Sequence, residues 1–271
     1  METTIEKYKR SLADQNLSAN TIKSYLTAVL LYYNMFGREL NKANVREYQH
    51  YLEQHFSPTT VNVRVIAFNR FLDFAGHRRL RLRMPRIKQR HYLDNVISYA
   101  DYLRFKSHLE VEKDKKWYFI VWTLAATGVR ISELVRFRVE DIFNGQLDLR
   151  SKGNKVRRIY IPRKLQLQLV EWLNMQQRME GTLFLNERGY PISIRGISKG
   201  LEYRAVRYGI DKHLVHPHAF RHLFAKKFLE SKNDLTMLAD LLGHESLDTT
   251  KIYLRMTSQE QHAIIDSIVE W

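Results

Sequence analysis

The chain predicts a mainly α-helical protein with one small β-sheet, divided into two domains. Three observations carry that prediction. Apolar residues recur at three- and four-residue steps through most of the chain, whereas strand-like segments are confined to one stretch, around residues 147–161. A proline-containing basic run separates a short helical third from the rest. The length of 271 residues suits two modest domains or one large one, and 44% hydrophobic residues suffice for ordinary cores.

Ile5, Tyr8 and Leu12 mark a short first helix. Ser18 caps a second, whose face is Ile22, Tyr25, Leu26, Val29, Tyr33 and Phe36 and which Gly37 closes. Val45, Tyr48, Leu52 and Phe56 mark a third. Ser57-Pro58, a cap followed by proline at the first helical position, opens a fourth that runs to about Gly76. Residues 1–77 therefore read as a small helical domain. Next come Arg78, Arg79, Arg81, Arg83, Arg86, Lys88 and Arg90, with no acid between Asp73 and Asp94 and with Pro85 blocking a continuous helix. Residues 78–93 read as an extended interdomain linker whose arginines can fork onto phosphates. Residues 94–271 form the second domain. Its strands are Leu147-Asp148-Leu149 and Val156 to Ile161, around the turn Lys152-Gly153-Asn154-Lys155. Its last segment, about 258–271, carries Ile264, Ile265, Ile268, Val269 and Trp271, a stripe that needs a partner surface, expected on another subunit.

Charge narrows the function. Lys and Arg number 44 against 29 Asp and Glu, a net +15 with a pI near 9.9. Such an excess points to a polyanion, most commonly nucleic acid. Residues 1–91 hold 16 basic and 7 acidic residues, so the first third is the more basic per residue. Met1 to Glu6 has neither the basic nor the apolar region of a signal peptide, and the longest oily stretch, Tyr118 to Ala126, is too short to span a bilayer. A soluble, cytoplasmic protein without a membrane partner is expected. The chain has no cysteine, which excludes disulfides, thiol chemistry and cysteine-based metal sites.

Four clusters in the second domain carry candidate chemistry. In Ala126-Thr127-Gly128-Val129-Arg130-Ile131-Ser132-Glu133-Leu134, Gly128 ends one helix and Arg130 opens another, with Glu133 on the same face. Lys152 and Lys155 sit in the hairpin turn. In His216-Pro217-His218-Ala219-Phe220-Arg221-His222, His218 and Arg221 share a helical face just after a first-turn proline. Tyr253 follows His244 by nine residues in the polar stretch after Gly243. Taken singly, each is ordinary: a surface ion pair, a solubilising turn, a helix start, a packed tyrosine. No His-Glu-x-x-His pattern suggests a metal, and no cofactor motif is present. Together they supply cations for the charge of a pentavalent phosphorus, a phenol as nucleophile and a lysine as acid for a leaving alkoxide.

The segments ATGVRISEL, SKGNK, HPHAFRH and LLGHESLDTTKIYLRM, in this order and at these separations, resemble the tyrosine recombinase (phage integrase) family, in particular its compact Xer-like members. The resemblance covers nearly the whole chain. It implies a SAM-like helical core-binding domain, a basic linker and a mixed α/β catalytic domain, with no room for a separate arm-binding domain. It assigns Arg130 as the first catalytic arginine, Glu133 as its acidic support, Lys152 as the catalytic lysine with Lys155 as alternative, His218 and Arg221 as the His-x-x-Arg motif, His244 as the second histidine and Tyr253 as nucleophile. The implied activity is site-specific recombination of double-stranded DNA through a 3′-phosphotyrosyl intermediate and a Holliday junction, without metal or ATP. The implied assembly is a homotetramer on two DNA sites, in some members with a second recombinase. A type IB topoisomerase shares the chemistry but not the separate helical domain together with the His-x-x-Arg motif. A catalytically silent DNA-binding protein and a metal-dependent nuclease are further alternatives.

Overall fold

The structure is a computed structural model that describes residues 3–86, 96–150, 156–244, 246–255 and 265–267. It is mostly helical with one two-stranded sheet. The chain divides into two compact units, Met1–Gln89 and Arg90–Trp271. Among the described residues no helix is long and apolar enough to cross a membrane.

The first unit holds four helices, α1 (Thr4–Asp14), α2 (Ala19–Phe36), α3 (Lys42–His55) and α4 (Pro58–Phe74). Each starts where a side chain takes up a free backbone N–H: Thr3, Ser18, Asn41 and Ser57 all cap, and Pro58 fills the first turn of α4, where no donor is needed. Phe56 stands just outside α3, and α4 stops at Phe74, short of the expected Gly76. The core is aromatic. Phe68 packs 4.7 Å from Tyr32 and 4.9 Å from Tyr48, ring centre to ring centre, and the Tyr48 hydroxyl donates to the Ala28 carbonyl at 2.7 Å.

The basic run departs from the expected extended linker at its start. Arg78–Leu80 form a 3-10 turn, and Leu82 is buried in the core of the first unit. Asn69 of α4 holds Leu82 from both sides, accepting its N–H at 2.8 Å and donating to its carbonyl at 2.9 Å, while Arg81 pairs with Asp73 at 2.8 Å. The physical reason is the leucine: one apolar residue among arginines gains more by entering the core than the run gains by staying solvated. Leu82→Ala is expected to lower the stability of the first unit by about 2–4 kcal/mol in urea titration. A loss below roughly 0.5 kcal/mol, the size of an ordinary surface change, would mean that the segment is not packed. Arg78, Arg79, Arg83 and Arg86 are exposed; Lys88 and Arg90 lie outside the described residues. Arg79, Arg81 and Arg83 line a groove of about 400 Å³ with Lys42 and Arg46 of α3.

The second unit is built around α6 (Lys116–Thr127), the oily stretch of the sequence, which is buried on nearly every side from Trp117 to Leu124. Before it runs α5 (Tyr99–Glu110); after it come α7 (Ile131–Leu134), α8 (Val139–Asn144), strands β1 (Gln146–Arg150) and β2 (Val156–Tyr160), then α9 (Arg163–Met175) and α10 (Ile194–Arg207). The strands pair antiparallel with Leu147 opposite Ile159 and Leu149 opposite Arg157. The unit continues through α11 (Pro217–Lys232), α12 (Leu235–Leu242), α13 (Leu247–Lys251) and a 3-10 turn over Ile252–Leu254. Of the expected C-terminal segment only residues 265–267 are described; they are helical and exposed.

Candidate active site

Two glycines bend the backbone so that carbonyls point into one spot. Gly128 ends α6 at φ 62° and Gly243 ends α12 at φ 63°, both in the left-handed region that a Cβ disfavours. Space also demands glycine at both: a Cβ on Gly128 would collide with the Phe224 ring, and one on Gly243 would stand 2.5 Å from Arg157 Cδ. Straight after the first bend, Arg130 stands at the start of α7. Its backbone N–H donates to Glu133 Oε2 at 2.8 Å, its Nη1 to Glu133 Oε1 at 2.9 Å, and its Nη2 to the Gly243 carbonyl at 3.2 Å.

Arg221 projects from the second turn of α11, which His216 caps and Pro217 opens. The residue is 3% exposed, and its guanidinium donates to the Gly128 carbonyl at 2.7 Å and the Leu242 carbonyl at 2.8 Å. Its Nη2 also lies 2.9 Å from His244 Nε2. A guanidinium has no acceptor, so Nε2 accepts; the His244 proton then sits on Nδ1 and donates to Thr250 Oγ1 at 2.8 Å. Tyr253 is 6% exposed, packed with Ala225, Leu229, Leu238 and Leu242. Its ring lies edge-on to His222 at 5.0 Å and nearly parallel to His244 at 6.1 Å.

The electrostatics follow from crowding cations in a half-dry pocket. Burial, then the neighbouring Arg130, lowers Arg221 to about 10, with the Tyr253 phenol at its side working the other way. Burial and the Arg221, Arg130 and Arg157 charges bring His244 down to about 4, so it is neutral near pH 7. His222 is lowered to about 4 by burial and by His218, His216, Arg221 and Lys226. Burial pushes the Glu133 carboxyl up, but the Arg130 N–H and the Arg157 and Arg130 guanidiniums outweigh it and hold the group below its ordinary value. Among the described residues no three His, Asp or Glu side chains converge as metal ligands.

The structure thus brings Arg130, Glu133, Arg221, His244 and Tyr253 together from three separate stretches of chain. His218 is exposed on α11, one turn before Arg221 and His222. Lys152 and Lys155 lie outside the described residues. Sequence reasoning passed over Arg157, His222 and Thr250. Arg157 left a signal: period-two alternation puts it on the same face as buried Ile159, and an arginine on an inward face needs a carboxylate. Glu133 is that carboxylate, accepting from Arg157 Nη1 with both oxygens at 2.9 Å.

The sequence model of the Phage integrase family matches residues 96–260, more than half of the chain. The chain belongs to the phage integrase family. All five assembled residues fall inside the matched stretch. Among curated members of the family, the tyrosine recombinase XerC of Chromohalobacter salexigens is 38% identical over 136 residues, 49% of this chain and 45% of that protein. XerC of Escherichia coli is 35% identical over 145 residues, 52% of this chain and 48% of the relative. The chain thus spans about half the length of the curated relatives it matches. Among solved structures, the XerH site-specific recombinase bound to its difH substrate in a pre-cleavage complex superposes with TM-score 0.71 at 19% identity, over 99% of this chain and 85% of that one. At that identity the likeness concerns the fold, which this family member shares.

Proposed function

We propose that the protein is a site-specific tyrosine recombinase that cuts and rejoins double-stranded DNA through a 3′-phosphotyrosyl link. The observation that carries this reading is the convergence of Arg130, Arg221 and His244 beside Tyr253. Arginine's planar fork suits the non-bridging oxygens of a phosphodiester, and fixed cations in a half-buried pocket favour the extra charge of a pentavalent phosphorus. In the proposed reaction Tyr253 Oη bonds to phosphorus and the bond to the 5′ oxygen breaks. The phenol proton passes to His218, and Lys152, with Lys155 as alternative, protonates the leaving oxygen. His244, neutral in the resting site, accepts from Arg221 Nη2 and, with Arg130 and Arg221, stabilises the charge that builds on the phosphorus. The covalent link conserves the bond energy, so a 5′ hydroxyl reverses the reaction without ATP.

In this reading residues 1–77 form the core-binding domain and grip the duplex with the second domain, and the exposed arginines of the 78–90 run contact phosphates. Lys42 and Arg46, which share a groove with Arg79, Arg81 and Arg83, add to that surface. Four copies on two DNA sites exchange strands through a Holliday junction, and residues 258–271 dock on a neighbour to close the ring. The relatives named above support the reading, being tyrosine recombinases.

The test is covalent capture. Wild-type protein incubated with sheared DNA from its source and denatured in SDS is expected to stay attached to a discrete set of fragments through their 3′ ends. Tyr253→Phe should bind DNA equally in filter assays and capture none. Capture by the phenylalanine variant, or tight binding with no capture by either protein, would overturn the reading.

A further inference from the structure

Arg157 is the most constrained charged side chain of the site that the proposed chemistry does not use. It stands on β2, and its side chain is 9% exposed. It donates through Nη1 to both oxygens of Glu133 and through Nε to the Leu241 carbonyl at 2.8 Å, while its Cδ lies against Gly243. Two guanidiniums therefore share one carboxylate, since Glu133 Oε1 also accepts from Arg130 at 2.9 Å. Arg157 touches both anchors of Arg130: the carboxylate directly, and the Gly243 backbone by packing against it.

We propose that Arg157 is a positioning residue for the reaction: it locks Glu133 and the Gly243 turn in the one arrangement that aims the Arg130 guanidinium, and leaves that guanidinium only partly neutralised. The charge count explains why a second cation is needed. Paired with Arg130 alone, Glu133 would cancel the charge that a phosphate is to meet. Shared with a buried arginine that faces no ligand, it leaves the group with a net positive charge, and the accessible member is Arg130, whose side chain is 38% exposed. Fork geometry matters as much as charge, because only a guanidinium spans Glu133 and the Leu241 carbonyl at once.

This inference rests on the recombinase reading, so its test has one arm that needs DNA chemistry and one that does not. In single-turnover cleavage of a duplex carrying the sequence that wild-type protein captures, Arg157→Met is expected to lower the rate constant about 10- to 100-fold, as misplacement of a reacting group does. The reacting fraction should be kept, and DNA affinity should stay within about twofold, because Arg157 meets no phosphate. Arg157→Lys, which restores charge on Glu133 without the fork, should recover part of the rate. A residue needed only for folding would shrink the reacting fraction and leave the rate constant unchanged, and that result would overturn the proposal. The second arm follows the Arg130 guanidinium by NMR in the free protein. Its N–H signals should be sharp in wild type and broadened by exchange in Arg157→Met. An unchanged Arg130 signal would overturn the proposal even if wild-type protein captures no DNA, an outcome that by itself counts only against the recombinase reading.

Discussion

Arg221→Ala is expected to abolish DNA cleavage and to destabilise the second unit, whereas Arg130→Ala abolishes cleavage and leaves stability nearly intact. Both arginines face the same proposed phosphorus, so losing either should cost at least ~10²–10³ in cleavage rate, as removing a fixed transition-state donor does. Their structural duties differ. Arg221 is buried and satisfies the Gly128 and Leu242 carbonyls, so alanine strands two backbone acceptors, one at each of two helix ends. At about 1–3 kcal/mol for each stranded group, eased by water entering the pocket, the loss should be roughly 2–4 kcal/mol. For a unit of this size that is a fall of about 5–15 °C in melting temperature. Arg130 is partly exposed, and its carboxylate keeps Arg157 when Arg130 is removed, so the loss should stay within about 1 kcal/mol. Melting curves and covalent capture on the same preparations decide the matter. Equal destabilisation by both variants would mean that the buried carbonyls do not depend on Arg221. Retained cleavage in either would remove that arginine from the chemistry.

How the site was legible, and where it was not, follows from which forces act locally. Ser18, Ser57-Pro58 and His216-Pro217 announce helix starts because capping is settled within a single turn. Gly128 and Gly243 announce helix ends for the same reason, and the residues that follow them, Arg130 and His244, could be marked as candidates. Thr250 could not be marked: its bond to His244 depends on how α13 folds back after Ser246, which no periodicity encodes. Arg157 was readable in principle as a charge on an inward strand face, but naming its partner needs the tertiary pairing with Glu133, 24 positions earlier. The opposite error befell Leu82. A run dense in arginine reads as solvated, yet one leucine and one asparagine clamp on α4 suffice to fold its start onto the first unit.

Acid should unfold this protein through its histidines before it titrates most of its carboxylates. His222 and His244 both titrate near pH 4 in the folded protein, against about 6.5 in the open chain. With folded values depressed, the unfolded chain takes up protons between pH 6.5 and 4 that the folded chain refuses. Stability is therefore full above about pH 6.5 and is lost as pH falls towards 4. Glu133, held below its ordinary value, adds loss of the same sign at the acid end of that range. Discounted for the partial exposure of His244, the two histidines together should contribute on the order of 2–4 kcal/mol. His222 separates this effect from general acid unfolding. Its Nδ1 is buried without a hydrogen-bond partner and its ring packs edge-on to Tyr253, so phenylalanine keeps the ring contact and removes the titration. His222→Phe is expected to melt close to wild type at pH 7 and above it at pH 4.5. Superimposable acid limbs for the two proteins would show that the His222 ring takes up its proton without leaving the fold.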